Sequence, residues 1–406
     1  MIFLVVNYHH AYTFREFLQT WGRAVAPQVR FLYYEDLLYR TSLPRGTYLF
    51  SDLERLTAQQ KAQASAIADL LVAHGIPVLN RPDRVLCRYA LLDTLHRSGK
   101  NRFRAVRLPR ADNTLRFPVF LRAENDHDGA ISARLNSLAE LRAAADTAVR
   151  NGADPEALLA VEFCETADAD GIYRKYSAFQ IGDRFIPRHV LFSRNWITKK
   201  PDIAGETQAA EERDYLFADP HPHEAAVRAA FQTAGIDYGR IDYGFADGQL
   251  QVWEINTNPM ITLPRERLAP ARLDAQSQVF ARICTAFQQI ANPSLLTAIP
   301  PSLPRGGGRG EGLAAQGRLR LPLSASERAG GEVIRVPPAL HTQFDITAAD
   351  IRNLPLRQVT RWLVPRLAES SRRTRYRLRQ ALPWLPTRSP HRPPRAVQPD
   401  TQPRVG

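Results

Sequence analysis

The residues with the most chemistry in their spacing lie in Tyr238 to Ile261, YGRIDYGFADGQLQVWEINTNPMI. Two alternating runs, RIDYGF and QVWEIN, flank Asp247-Gly248, which is a strong hairpin signal. Register decides which side chains share a face, because a slip of one residue moves every side chain across the sheet. A two-residue loop sets Asp242 opposite Trp253 and mixes polar with apolar residues on both faces. A three-residue loop, Asp247 to Gln249, pairs Ile241 with Ile255 and Tyr243 with Trp253 on one face. The other face then pairs Arg240 with Asn256, Asp242 with Glu254, and Gly244 with Val252. Only this second register separates the faces, so it is the one expected.

That register brings two carboxylates face to face with Cβ atoms about 5 Å apart, an unfavourable pairing unless neutralised. Arg240 is one compensating charge. A hard divalent cation is a better one, since Asp, Glu and an Asn carbonyl are oxygen ligands suited to Mg²⁺, completed by water and nucleotide phosphates. Asp242, Glu254 and Asn256 are therefore the candidate metal ligands of a magnesium and phosphate site. The plain alternative is a surface hairpin with solvated acids.

The elements around this hairpin read as alternating short apolar runs and longer helical patterns, the sign of an α/β (α+β) chain. MIFLVV, VRFLYYE and TYLFSDL are predicted strands, and Thr57 to His74 a helix stopped by Gly75 before the strand PVLN. Asp83 to Ser98 is a predicted helix capped by Asp83 and ended by Gly99. Its apolar stripe of Val85, Leu92 and Leu95 is interrupted at Arg88, which must reach solvent or meet an anion. Phe117 to Leu121 is a buried-strand candidate followed by Arg122. YRKYSAFQIG and DRFIPRHVLF form a hairpin around Gly182-Asp183, with Lys175 and Arg188 as candidate phosphate cations; His189 in its second strand reads as structural. Asn195 to Pro220 has no periodicity and reads as a lid or insertion. His221-Pro222-His223 reads as the entry to a helix, Glu224 to Ala234. NYHHAY after the first strand lacks GxGxxG, which disfavours a Rossmann dinucleotide site.

GRID followed by EINTNP resembles the C-terminal signature of the ATP-grasp family, shared by D-alanine:D-alanine ligase, glutathione synthetase and the ribosomal-protein glutamate ligases. The resemblance implies an ATP-grasp fold preceded by a small N-terminal α/β domain. It assigns magnesium binding to Asp242, Glu254 and Asn256, with ATP and Mg²⁺, or Mn²⁺, as cofactors. Arg240 would steady the transferred phosphoryl group. Arg88 and Arg122 stand where the family places its two nucleotide lysines, and arginine binds phosphate bidentately. Val161-Glu162-Phe163-Cys164 resembles the adenine-binding hinge, so Glu162, Phe163 and Cys164 join Lys175 and Arg188 as nucleotide-binding candidates. The resemblance extends over about Leu79 to Ile299. The implied domains are 1–78, 79–299 with a lid at about 195–220, and a tail at 300–406.

Composition bounds the rest. The 406 residues carry 54 Lys+Arg against 41 Asp+Glu, a net charge of +13. From Pro300 to Gly406 there are 19 Arg, no Lys and 7 acidic residues, so the excess sits in this segment and the body is close to neutral. The same segment holds 15 of the 30 prolines, a composition that opposes a packed core, and is expected to be mostly disordered. Pro355 to Trp384 within it has amphipathic helical spacing and could touch an anionic membrane or RNA. Three scattered cysteines exclude a disulfide framework and structural zinc, and no apolar run approaches a membrane span, so a soluble, cytoplasmic protein is expected. The activity implied is an ATP-dependent ligase that activates a carboxylate as an acyl phosphate for attack by an amine. A kinase acting on a small-molecule hydroxyl and a nucleotide-binding scaffold tethered by the tail are the other readings.

Overall fold

The computed structural model describes residues 1–37, 40–125, 129–199, 202–262, 270–292, 333–337 and 340. The stretch 355–384 lies outside them. The first strand, β1 (Ile2–Val6), is buried along its whole length. It lies parallel between β2 (Val29–Tyr33) and β4 (Thr47–Phe50), and β4 pairs in parallel with β5 (Val78–Leu79). A run of five apolar residues suits the centre of a parallel sheet, where both faces are covered. Aromatic residues of helix α1 (Tyr12–Gln19) and of β2 share the core of this sheet, and the short helix α2 (Tyr34–Leu37) follows β2.

Helix α3 (Ala58–Ala73) forms within the expected span of Thr57 to His74. Gln60 N donates to Thr57 Oγ1 and Thr57 N donates to Gln60 Oε1, a reciprocal box that satisfies two otherwise orphan amides. Gly75 ends the segment at φ +70°, a left-handed turn that costs glycine nothing. Helix α4 (Arg88–Arg97) begins five residues later than the sequence suggested. Asp83 does not cap it; its carboxylate pairs with Arg81 instead, and Leu86 N donates to Ala234 O, holding residues 81–86 outside the helix.

A second, antiparallel sheet of order β6-β8-β7 comprises β6 (Ala105–Arg107), β7 (Val119–Ala123) and β8 (Leu158–Glu162). Helix α5 (Leu138–Arg150) buries Leu141 and Ala145 against Val119, Leu121 and Ala160. Leu92 of α4 packs with Phe103, Ala105, Leu159 and Val161 in a separate small core.

The third sheet carries the hairpins read from the sequence. Its order is β10-β9-β11-β12, built from β9 (Tyr173–Ile181), β10 (Arg184–Ser193), β11 (Tyr238–Ala246) and β12 (Gln249–Asn256), all antiparallel. Helix α7 (Glu224–Ala234) starts after His223 as expected, and helix α8 (Pro270–Ala291) packs Val279, Ile283 and Phe287 into the main core. The expected lid is not all loop: α6 (Glu206–Phe217) occupies half of it. Its buried residues, Glu212, Tyr215 and Leu216, share one face, but the first is a glutamate anchored by Arg272 at 2.7 and 2.9 Å, so hydrophobic periodicity could not reveal it.

Within the basic segment, β13 (Val333–Arg335) pairs antiparallel with β3 (Ser42–Pro44) and buries Ile334. That stretch therefore lies paired on the edge of the N-terminal part, within a segment expected to be mostly disordered.

One side chain fastens the first sheet to the third. Asn80, fully buried at φ +56°, donates from Nδ2 to Phe50 O (3.0 Å) and Tyr238 O (2.7 Å) and accepts at Oδ1 from the amides of Asp237 and Tyr238 (both 2.8 Å). Replacing Asn80 by Ala removes four hydrogen bonds and places a residue less tolerant of the left-handed region there. We expect a loss of about 3 kcal/mol in urea-unfolding stability; a loss within about 0.5 kcal/mol would show that the two sheets do not depend on this junction.

Candidate functional site

The β11–β12 hairpin closes through a two-residue turn, not the three-residue loop expected. Asp247 (φ +46°) and Gly248 (φ +76°) are both left-handed, the type I′ arrangement that matches strand twist. From the turn the pairs run Ala246–Gln249, Phe245–Leu250, Gly244–Gln251 and Tyr243–Val252; the register then shifts and continues Asp242–Glu254, Ile241–Ile255 and Arg240–Asn256. A bulge at Trp253 thus absorbs the one-residue offset. The expected Tyr243–Trp253 and Gly244–Val252 pairs do not form, while the two pairs that carry the chemistry, Arg240–Asn256 and Asp242–Glu254, do. Gly244 permits this: a Cβ there would meet the Trp253 ring at 2.5 Å.

Asp242 is buried, and Ser177 Oγ (2.7 Å) and Arg240 Nε (3.0 Å) both donate to its Oδ1, with Lys175 Nζ 3.4 Å from Oδ2. Burial acts to raise this carboxyl, and the charges of Arg240 and Lys175 outweigh it, holding it far below the usual carboxylate range. Opposite, Glu254 Oε2 accepts from Arg88 Nη2 (2.6 Å) and Arg122 Nη2 (3.0 Å). Arg88 also donates to the carbonyls of Ala123 and Glu124, which ties α4 to the end of β7. Asn256 Oδ1 accepts from Asn258 N at 2.7 Å, which fixes the amide with its oxygen turned toward that loop.

Six of the predicted side chains therefore meet: Arg88, Arg122, Lys175, Arg240, Asp242 and Glu254, with Asn256 paired beside Arg240. Four cations surround two carboxylates, an excess of two positive charges in a largely desolvated place. Among the described residues, no group of three or more His, Cys, Asp and Glu side chains gathers as a metal cage. Asp242, Glu254 and the Asn256 carbonyl are nevertheless hard oxygen donors on one strand pair, which fits a Mg²⁺ that takes its remaining ligands from water and phosphate.

Phe163 and Cys164 line an open cleft of about 320 Å³ with Arg102, Arg116, Phe245 and Ala246. The Glu162 side chain is not turned to that cleft as a free acceptor: Arg104 Nε (2.8 Å) and Arg116 N (2.9 Å) occupy its Oε1. Arg188 departs from its expected role. It sits on a bulge of β10, fully buried, where it donates to Gln276 and to Ile261 O (3.2 Å) and lies over the Phe280 ring at 4.7 Å. Burial, with the nearby Arg240 charge, lowers its pKa to about 9. Its partners are those of a core residue.

Two participants were not picked out in the sequence. Ser177 stands two residues after Lys175, and the period of two along a strand was signal enough to place it on the same face. Trp196 packs on Phe120 (5.0 Å) and edge-on to Phe163 (5.7 Å), so the segment after β10 reaches onto the second sheet beside the cleft. An isolated aromatic residue in a polar stretch was the only available mark.

No family model matches this chain, and no curated protein does. Among solved structures it is similar to D-alanine–D-alanine ligase from Bacillus anthracis, at 14% identity over 72% of this chain and 98% of that one, with a TM-score of 0.41. A RimK domain protein of ATP-grasp type from Sphaerobacter thermophilus gives 13% identity, 69% and 98% coverage, and 0.39. An L-amino acid ligase from Bacillus licheniformis gives 16%, 63% and 66%, and 0.38. At these identities the roles of its residues rest on its own geometry. Among the described residues no helix is long and apolar enough to cross a membrane.

Behind the site, on the other face of the sheet, lies an aromatic layer. His223 Nδ1 meets Tyr243 OH at 2.9 Å, the Tyr215 and Tyr243 hydroxyls are 3.2 Å apart, and Tyr215 OH donates to Ser177 O at 2.8 Å. Burial, then the neighbouring His221, lowers the His223 pKa to about 4. A histidine whose folded pKa lies below its unfolded value near 6.5 gives its full stabilisation above pH 6.5 and loses it as pH falls toward 4. Because His223 is partly exposed, we discount the effect to about 1–2 kcal/mol. Unfolding free energy should therefore decline over that window, and the decline should shrink in His223→Gln. An unchanged slope in the variant would remove His223 from the account.

Proposed function

We propose that this protein is an ATP- and magnesium-dependent ligase of ATP-grasp type that activates a carboxylate as an acyl phosphate for attack by an amine. The observation that carries the proposal is the charge balance of the site. Two facing carboxylates with four cations suit a polyanion that arrives with a divalent ion, and a bare metal ion meets only acids that are already neutralised. Magnesium held by Asp242, Glu254 and Asn256 would supply neutralisation of phosphate charge and polarisation of the transferred phosphoryl group.

The chain's own residues then do the positioning. Arg88 and Arg122 exchange the Glu254 oxygen for phosphate oxygens, which frees Glu254 for the cation. Lys175 and Arg240, fixed beside Asp242, face the same phosphates, and Arg240 stabilises the negative charge that develops as the phosphoryl group moves. The cleft beside Phe163 and Cys164 takes the base. No Ser or Cys nucleophile is required, because the carboxylate substrate itself attacks the terminal phosphate.

This reading predicts thermal stabilisation that depends on both components. Magnesium alone should leave the melting temperature unchanged. ATP with magnesium at about 100 times its Kd should raise it by roughly 5 °C, corresponding to about 2.7 kcal/mol. Asp242→Asn and Glu254→Gln should reduce that rise to within about 1 °C. Equal shifts in the native protein and both variants would sink the assigned site.

A further inference from the structure

The loop that leaves β12 is sewn to the first sheet. Ser51 Oγ donates to Thr257 O (2.8 Å), Leu53 N to Thr257 Oγ1 (3.2 Å), and Asn258 Nδ2 to His10 O (3.2 Å). Asn258 lies two residues beyond Asn256, at most about 7 Å of chain. The partners it finds are the carboxyl ends of β1 and β4. In the order β2-β1-β4-β5 the chain proceeds from β1 to one side and then to the other, so β1 and β4 bracket the switch point of a parallel sheet. The carboxyl ends of the strands at such a switch point are where parallel sheets generally bind ligands.

Asp52 stands at this point. It is fully buried and left-handed, φ +61° and ψ +28°, a conformation of real cost for a residue other than glycine and one found at functional sites. Its Oδ2 accepts from His10 Nδ1 at 2.7 Å and from Asn7, and its Oδ1 from Arg55 Nη1 at 2.6 Å. Burial acts to raise the Asp52 carboxyl; the hydrogen bonds of His10 and Asn7 and the Arg55 charge outweigh it and keep it ionised. An ionised carboxylate can only accept, so the proton on Nδ1 points at Asp52, and the neutral form of the ring has its lone pair on Nε2. The His10 side chain is 31% exposed, while Asp52 is not exposed at all. A buried acid thus orients a histidine that reaches solvent.

Resting on the ligase reading, we propose that His10 is the proton acceptor for the incoming amine, held in its working tautomer by Asp52 as a positioning residue. In the step, the amine nitrogen forms a bond to the acyl carbon and its proton passes to His10 Nε2. The bond from that carbon to the phosphate oxygen then breaks, and inorganic phosphate leaves with the electron pair. His10 returns the proton to solvent.

Hydroxylamine provides the test, because it is unprotonated at neutral pH and attacks acyl phosphates without a base. Amine-dependent ADP release and hydroxamate formation are measured with ATP, magnesium and a panel of amino acid carboxylates for the wild-type protein, His10→Gln and Asp52→Asn. The ratio of amine-dependent to hydroxylamine-dependent turnover should fall about 100-fold in His10→Gln and about 10-fold in Asp52→Asn. Parallel loss of both activities, the mark of a structural role, would overturn the proposal, as would a ratio within threefold of wild type. His10→Asn serves as the second variant should Asp52→Asn fail to fold. If the wild-type protein forms no hydroxamate from any carboxylate, the ligase reading fails and takes this one with it; hydroxamate with an unmoved ratio removes His10 alone.

Discussion

The organisation of this molecule turns on two carboxylates that the sheet forces together. Asp242 and Glu254 are directly paired across β11 and β12, and like charges so placed repel. The fold answers with cations drawn from three separate elements: Lys175 from β9, Arg88 from α4 and Arg122 from β7, besides Arg240 on the same strand as Asp242. Each of these reaches the pair only if its own sheet or helix is packed in place. The ion pairs of the site therefore also link the second sheet to the third, beside the packing of Trp253. Removing one partner of such a buried arrangement leaves an uncompensated charge, a larger penalty than the attraction gained by forming it.

Much of this was legible in the sequence because it obeys short-range rules. The period of two along RIDYGF and QVWEIN was enough to place Asp242 opposite Glu254. The glycines at 75 and 99 set helix ends by a mechanism confined to a few residues. The turn was misread for a physical reason of its own. Face separation and turn chemistry made opposite demands, and a register without bulges could satisfy only one. The chain satisfies both by spending Trp253 on a bulge over Gly244, a solution that depends on where the indole packs, among Leu92, Phe103 and Val161.

What stayed hidden was long-range. Arg188 has the composition and the strand setting of a phosphate ligand, yet a bulge between Pro187 and His189 carries it to Gln276 and Phe280, residues 88 and 92 positions away. Helix α6 carries a glutamate, Glu212, on its buried face and is held through it by Arg272. The start of α4 is set by Ala234, whose carbonyl takes the Leu86 amide. In each case the deciding partner lies far off in the chain, and local propensity carries no information about it.

Arginine at positions 88 and 122 suits a site whose ionic partners change. A lysine there could offer one point charge to Glu254, whereas a guanidinium spans several acceptors at once. Arg88 uses that capacity: one nitrogen meets Glu254 while another holds the carbonyls of Ala123 and Glu124 at the end of β7. If the Glu254 contact is exchanged for a phosphate, the carbonyl contacts can persist, so α4 and β7 stay joined while the charge partner changes. A lysine would have to release one role to adopt the other. Arginine at this position thus lets the site change its ionic partners without surrendering the packing that brings them together.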